Sequence, residues 1–188
     1  MKHIPVLLAG AAFIALGGSA NAAVTVIGPG PAQLCFTGAD EGGDPLMYTV
    51  YCNQALAGSL SDSDRAATFV NRGVLRLAEG TSEAARADFD AGLAINPQLG
   101  EGYVDRAAAL IREKRYTDAL ADIDKGLSLG AKRPEVAYYD RAVCDESMGD
   151  IQTAYKDYKQ ALTAQPSFTP ASEQLKRFKI VTRDSNGT

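Results

Sequence analysis

Apolar residues recur at helical spacing along most of the chain, in stretches separated by short polar turns. One stretch begins near Ser61, whose hydroxyl can cap a helix, and ends at Gly80. The next begins at Thr81 or Ser82 and ends before Pro97, which cannot continue a helix. The pattern predicts two helices joined by a tight turn. Their inward-facing positions are Ala66, Phe69, Val70, Gly73 and Leu77, then Ala85, Phe89, Gly92 and Leu93.

The sequence pattern of this helix pair recurs three times. In each copy an aromatic residue stands three positions before an Arg, and an Asp follows that Arg sixteen positions later. Arg72, Arg106 and Arg141 are 34 and then 35 residues apart. Such a period predicts helix-turn-helix units that stack, because each unit buries its apolar face only against a neighbour. The copies are Phe69, Arg72 and Asp88; Tyr103, Arg106 and Asp122; and Tyr138, Arg141 and Asp157.

The full repeats are predicted over residues 66–99, 100–134 and 135–168. Helices are expected from about 98 to 112 and 116 to 129 in the second repeat, and from 134 to 148 and 151 to 164 in the third. Gly or Ala at 73, 107 and 142, and Ala at 85, 119 and 154, let the paired helices approach closely.

The first 22 residues predict a cleaved leader. A short basic start at 1–3 precedes an apolar run at 6–16 and a small-x-small triplet at 20–22. We expect cleavage after Ala22 and a periplasmic or secreted mature chain. The alternative is an uncleaved membrane anchor, for which the apolar run is short.

Composition narrows the possible functions. The 188 residues are 46% hydrophobic and 22% charged, which fits one soluble domain. The net charge is -4 and the longest basic stretch is 176–179, so nucleic acid is not an expected partner. Because His3 is the only histidine, the mature chain has none, which excludes His-based triads and His-bearing metal sites. We expect no enzyme activity, no cofactor, no metal and no membrane span in the mature chain.

The three cysteines fit an exported chain. Cys35 and Cys52 lie close together ahead of the repeats, and an oxidising compartment favours their pairing. Cys144 is then alone on an apolar helix. We expect it to be buried; the competing interpretation is a reactive or intermolecular thiol.

The flanking segments are expected to be less regular. Residues 23–45 are predicted as an extended arm and loop: 24–27 is β-prone, 32–37 is a short helical candidate, and 38–45 is a glycine-rich loop. The solenoid is predicted to cover 46–181, beginning with a short helix at 46–57. Residues 169–181 are expected to form a helix covering the last repeat, and 182–188 a flexible tail.

These repeats resemble the tetratricopeptide repeat. The second copy departs from that pattern with Ile123 in the aromatic position, and with Lys132 and Arg133 displacing the proline. The resemblance implies an all-α, right-handed α-solenoid of three full repeats, a degenerate N-terminal repeat and a C-terminal capping helix. The matching positions are Phe69, Gly73, Ala85, Phe89, Gly92 and Pro97 in the first copy, and Tyr138, Ala142, Ala154, Tyr158, Ala161 and Pro166 in the third.

The resemblance also implies a concave groove, formed by the first helix of each pair, that binds an extended peptide or a partner helix. Extending the register upstream places Cys35 and Cys52 opposite each other, so their disulfide would staple the degenerate repeat. The groove positions carried over from the family are Ala67, Val70, Asn71, Val74 and Leu77; Glu101, Val104, Asp105, Ala108 and Arg112; and Val136, Tyr139, Asp140, Val143 and Ser147.

The groove composition indicates a ligand class. Family members that clamp a C-terminal carboxylate use Lys and Asn where Val70 and Val74 stand here, so that ligand is not expected. A ligand with apolar anchors and a basic residue fits better. The leading hypothesis is a non-catalytic periplasmic scaffold for a partner protein or peptide. The alternative is a structural subunit of a homo-oligomer or a cell-envelope complex.

The repeated Arg and Asp residues admit two interpretations. The Arg series could form an anion-binding stripe. Alternatively, each Arg could pair with the Asp of its own repeat, which would explain why Lys never takes its place. We favour the structural pairing.

Overall fold

The computed structural model describes residues 29–178. Within them the regular secondary structure consists of helices joined by turns, with no strands. Consecutive helices pack in antiparallel pairs, α1 with α2, α3 with α4, α5 with α6 and α7 with α8, and α9 covers the last pair. The all-α repeat architecture predicted from the sequence is confirmed. The helices are α1 (Pro31–Glu41), α2 (Pro45–Ala57), α3 (Asp62–Ala78), α4 (Ser82–Ile95), α5 (Gly100–Arg112), α6 (Tyr116–Ser128), α7 (Pro134–Met148), α8 (Ile151–Ala164) and α9 (Thr169–Leu175).

Local chemistry sets where several helices begin. The Ser61 hydroxyl accepts a hydrogen bond from the Asp64 amide at 3.1 Å and caps α3. Asp150 caps α8 through the amide of Thr153 at 3.0 Å. Proline stands in the first turn of α1, α2, α7 and α9, where its missing N–H is not needed.

The small residues allow close packing within and between helix pairs. A Cβ on Gly73 would lie 2.5 Å from the Phe89 ring, and one on Gly92 would lie 2.9 Å from the Ala66 carbonyl oxygen. Phe89 is fully buried as a result. Between pairs, α5 lies so close to α4 that a Cβ on Gly102 would be 3.0 Å from the Leu93 side chain. Each pair is therefore complete only when the next one stacks on it.

The short helix predicted over 32–37 is confirmed within α1, but the loop predicted over 38–45 is wrong over residues 38–41, which continue that helix. Gly38 lies inside the helix, and the Tyr48 ring packs where a side chain at this position would be. Gly42 ends the helix with a left-handed φ of 75°. The solenoid therefore begins at Pro31, and not at residue 46. The β-prone residues 24–27 lie outside the described residues, as do the predicted leader and the tail at 182–188.

The predicted disulfide between Cys35 and Cys52 is present, with the two Cα atoms 4.8 Å apart. It joins α1 to α2 and packs against Leu75 of α3. The N-terminal helix pair is thus tied covalently where its own apolar core is small. Cys144 is buried and forms no disulfide. Burial raises the pKa of its thiol to about 12, which opposes thiolate chemistry.

The C-terminal cap is shorter than predicted. Helix α9 ends at Leu175, and residues 176–178 form a turn; residues 179–181 lie outside the described part. Phe178 still covers the last repeat, with its ring centroid 5.5 Å from that of Tyr155 and 5.9 Å from that of Tyr158. None of the helices in residues 29–178 combines the length and apolar character that a membrane crossing needs.

Candidate peptide-binding groove

All three repeated Arg residues form two-armed ion pairs with the Asp of their own repeat. The predicted pairing is confirmed. Because Nε and Nη2 of each Arg bond to the Asp, the guanidinium edge that could bind an anion is already occupied. The Nε and Nη2 distances to the two carboxylate oxygens are 2.8 and 2.6 Å for Arg72 with Asp88, 2.7 and 2.8 Å for Arg106 with Asp122, and 2.7 and 2.9 Å for Arg141 with Asp157.

The same Arg residues also bridge consecutive helix pairs. Arg106 donates to Asp90 of the preceding pair at 2.7 Å, and Arg141 donates to Asp124 at 3.0 Å. Each guanidinium also lies over the aromatic ring three positions before it, as Arg106 does over Tyr103 at 5.4 Å. The Arg series therefore orders the stack, and a ligand site has to be sought elsewhere.

One cleft collects side chains from the first helix of successive pairs. Its volume is about 270 Å³, and it is lined from α1, α3, α5 and the turn before α7. We call this cleft the groove. Five residues expected there from the sequence line it: Val70, Asn71, Val74, Glu101 and Asp105.

A second cleft lies toward the C-terminus and contains Tyr139, Val143 and Ser147, three further residues of the prediction. Its volume is about 350 Å³, and its other walls include Tyr158 and, from the cap, Arg177. The Tyr139 ring is fixed by the rings of Tyr158 and Phe168, with centroids 5.6 and 5.8 Å away. The predicted surface is thus divided into two depressions.

Val104 does not belong to the ligand-facing surface. It is 1% exposed and packs in the core with Ile123 and Ala131. The reason is close packing against α6, where a Cβ on Gly126 would lie 2.7 Å from the Val104 methyl. We therefore correct its assignment as a groove residue to a core residue.

Besides Val104, six predicted residues line neither cleft: Ala67, Leu77, Ala108, Arg112, Val136 and Asp140. Leu77 packs with the core cluster around Phe89, and its carbonyl accepts a hydrogen bond from Arg112 at 2.6 Å. Arg112 thus covers the end of α3. Ala108 is half-buried and lines neither cleft. Val136 packs against the same core as Val104, and Ala67 is exposed.

The floor of the groove is acidic. Burial raises the pKa of Asp105 to about 7, Arg133 opposes this shift and Glu101 adds to it. Burial also raises the pKa of Asp140 to about 7, and the charge of Asp105 raises it further. Two carboxyl groups at equivalent positions of consecutive repeats are therefore proton-binding near neutral pH.

Sequence reasoning missed part of the groove. Phe36, Ala39 and Asp40 of α1 line it, although the glycine-rich pattern predicts a loop over 38–45. Lys132 and Arg133 also line it, from the lengthened turn after α6. A signal existed for the second set, since these two residues are the ones that displace the repeat's proline.

The acidic side chains are not arranged as metal ligands. Across residues 29–178, no three His, Cys, Asp or Glu residues are grouped closely enough to hold an ion.

The third repeat matches a known family model. Residues 136–168 match the family model of the tetratricopeptide repeat. The match covers this one repeat of the chain. A relative in Dictyostelium discoideum, the DnaJ homolog subfamily C member 7 homolog, is 28% identical over 107 residues, which are 55% of this chain. The chain spans 20% of the length of that relative.

Solved tetratricopeptide structures have the same fold. PilW, a type IV pilus biogenesis factor, is 26% identical with a TM-score of 0.69, over 78% of this chain and 66% of PilW. The first tetratricopeptide domain of Spaghetti (RPAP3), solved with the HSP90 peptide SRMEEVD, is 23% identical with a TM-score of 0.58, over 62% of this chain and 94% of that domain.

Proposed function

We propose that this chain is a non-catalytic scaffold that binds a partner protein or peptide in its groove. The observation that carries the proposal is that α1, α3, α5 and the turn before α7 contribute apolar and charged side chains to one continuous cleft. Such a surface offers apolar contact for affinity and fixed charges for orientation.

The comparisons support peptide binding as the general activity. The tetratricopeptide domain of RPAP3 was solved with an HSP90 peptide bound. The ligand of this chain differs in chemistry, because the groove is lined by Val70 and Val74 together with the carboxylates of Glu101 and Asp105. An acidic peptide end would face like charges there.

We place the scaffold in the periplasm or outside the cell, with the leader removed after Ala22. The leader pattern at 1–22 and the disulfide between Cys35 and Cys52 support this location. Mass spectrometry of the protein purified from an envelope fraction tests it: the expected N-terminus is Ala23, and an intact N-terminus in the cytoplasmic fraction contradicts it.

Affinity purification tests the groove. Asn71→Trp and Asp40→Trp fill the cleft, whereas Gln152→Trp adds the same ring to an exposed position of α8 outside it. Asp40 is exposed, so its substitution spares the core. We expect a partner that co-purifies with the wild type and Gln152→Trp but is lost from both groove variants. Equal recovery with all variants contradicts the proposal.

A second candidate is a structural subunit of a homo-oligomer or an envelope complex. The observation that favours it is the apolar outer face of α2, where Leu46 is 70% exposed and Val50 is 51% exposed. Light scattering after size exclusion separates the two candidates. An oligomer that Leu46→Glu dissociates supports the second, and a concentration-independent monomer contradicts its homo-oligomeric form.

A further inference from the structure

The groove holds more negative than positive charge. Glu101 and Asp105 of α5 line it, and Asp140 of α7 does not line it but is near enough for the charges of Asp105 and Arg133 to affect its pKa. Within residues 29–178 Asp140 has no ion-pair partner of its own. Arg133 forms ion pairs with the two carboxylates that line the groove, Glu101 and Asp105.

Arg133 contacts these carboxylates loosely. Its Nη2 lies 3.4 Å from Asp105 Oδ1, its Nε lies 3.9 Å from Glu101 Oε2, and its side chain is 56% exposed. By contrast, Arg106 lies 2.7 Å from Asp122 and is 23% exposed. The long, solvated ion pairs of Arg133 are the kind that contribute little stability. A competing cation can therefore displace it.

Glu101 leaves one acceptor unsatisfied. Its Oε1 accepts the Lys132 backbone N–H, whereas its Oε2 is inaccessible to solvent and has no hydrogen-bond partner among the described residues. A buried oxygen without a donor is destabilising. The groove therefore lacks one hydrogen-bond donor at Glu101 Oε2.

The wall beside the acidic floor is apolar. Phe36 of α1 is 47% exposed, and Val70, Val74 and Ala39 line the same cleft. An exposed Phe at the rim of a concave surface gives an apolar side chain of a ligand a site to contact. Apolar and acidic surfaces lie within one cleft, so one short segment can contact both.

We infer that the groove takes an extended peptide segment in which a Lys or Arg side chain is flanked by apolar side chains. The basic side chain replaces Arg133 over Glu101 and Asp105 and supplies the missing donor. The flanking side chains contact Phe36 and Val74. This inference rests on the proposed function and specifies its ligand.

The charge arrangement makes the affinity for a basic peptide depend on pH. The groups facing Asp105 and Asp140 are Asp40 of α1, Glu101 of α5, Cys144 of α7, and Lys132 and Arg133 of the turn. A ligand cation favours the charged carboxylates, so binding releases protons. Affinity is therefore expected to rise as the pH increases from 6 to 8.

Selection from a displayed library of random heptapeptides tests the inference. The bait variants are Asp105→Asn with Asp140→Asn, which neutralises Asp105 in the groove and the nearby Asp140, and Asp62→Asn with Glu83→Gln, which removes two exposed charges from outside the groove. Asn71→Trp blocks the groove. The strongest wild-type heptapeptide is then synthesised with its basic residue intact or replaced by norleucine.

We expect selected peptides to contain Lys or Arg beside apolar residues, and to be bound by the wild type and the Asp62→Asn, Glu83→Gln control. Norleucine, or the Asp105→Asn, Asp140→Asn bait, should weaken binding at least about tenfold. Groove-dependent peptides that are neutral or acidic overturn this inference and leave the proposed function standing. Selection unaffected by Asn71→Trp counts against both.

Discussion

Arg106 and Asp122 form a two-armed ion pair, with Nε to Oδ2 at 2.7 Å and Nη2 to Oδ1 at 2.8 Å. Because Nη1 of the same Arg reaches Asp90 of the preceding helix pair at 2.7 Å, one side chain ties two repeats together. The same arrangement recurs at Arg141. The stacking of this solenoid is therefore specified by charged groups as well as by apolar faces.

Arg106→Lys should destabilise the protein while keeping the charge. An ammonium group cannot reproduce two parallel bonds to Asp122 and a third to Asp90. We expect the free energy of unfolding to fall by roughly 2 kcal/mol. Urea denaturation followed by circular dichroism measures it.

The matched control is Arg115→Lys, which changes an exposed ion pair with Asp118 three residues away. That variant should change stability by less than about 0.5 kcal/mol. Equal effects of the two substitutions would show that the Arg106 network does not order the stack.

Gly126→Ala should also be destabilising, although alanine favours a helix. The new Cβ would lie 2.7 Å from a Val104 methyl and 2.9 Å from the Gly100 carbonyl oxygen, and the backbone cannot move aside locally. Overpacking of this kind costs about 1–3 kcal/mol. Gly58→Ala is the control, because its nearest contact would be 3.4 Å. A thermal midpoint for Gly126→Ala at or above that of Gly58→Ala contradicts the packing argument.

Sequence periodicity predicted the repeats well because a period of 34 or 35 residues involves many positions at once. Single glycines were harder to interpret. Gly38 and Gly42 lie four residues apart, yet one accommodates the Tyr48 ring inside α1 and the other ends that helix. Only the position of Tyr48, on another helix, separates the two roles.

The groove residues were predicted only in part, because a neighbouring helix again decides what a given repeat position contacts. Val70 and Val104 are equivalent in the repeat and both are buried, at 6% and 1% exposed, but only Val70 reaches the lining of the groove. The difference lies in the neighbouring pair, where Ala131 in the turn after α6 joins the cluster around Val104. The position of a residue within its repeat does not show whether the following turn keeps it out of the groove.

Removing the disulfide should loosen the N-terminal helix pair selectively. In the chain-entropy model, the sequence separation of 17 between Cys35 and Cys52 corresponds to about 3 kcal/mol. Because repeats unfold partly independently, the Cys35→Ala, Cys52→Ala variant should lose protection in α1 and α2. Hydrogen exchange by mass spectrometry measures this. Unchanged exchange in α1 and α2, with α7 and α8 as the internal reference, contradicts it.

The acidic floor should make stability fall as the pH rises. The pKa of Asp140 is raised from 3.8 to about 7 in the folded chain, so the folded state binds its proton more tightly than the unfolded state. Its stabilising contribution is complete below about pH 4 and is lost as the pH rises through about 7.

Asp140→Asn should therefore stabilise the protein more at pH 8 than at pH 5. One unit of pKa shift corresponds to about 1.4 kcal/mol, so a difference of at least that size is expected between the two pH values. Denaturant titrations at both values check it, with Asp62→Asn as an exposed control. A pH-independent effect of Asp140→Asn would contradict a raised pKa.

Site-specific photo-cross-linking in living cells tests most directly whether the groove is the binding surface. A photoreactive phenylalanine at Asn71 or Asp40 lies in the groove, and one at Gln152 is exposed on α8 outside it. The account predicts one defined protein adduct from both groove positions and none from Gln152. An adduct formed from Gln152 but from neither groove position would contradict it.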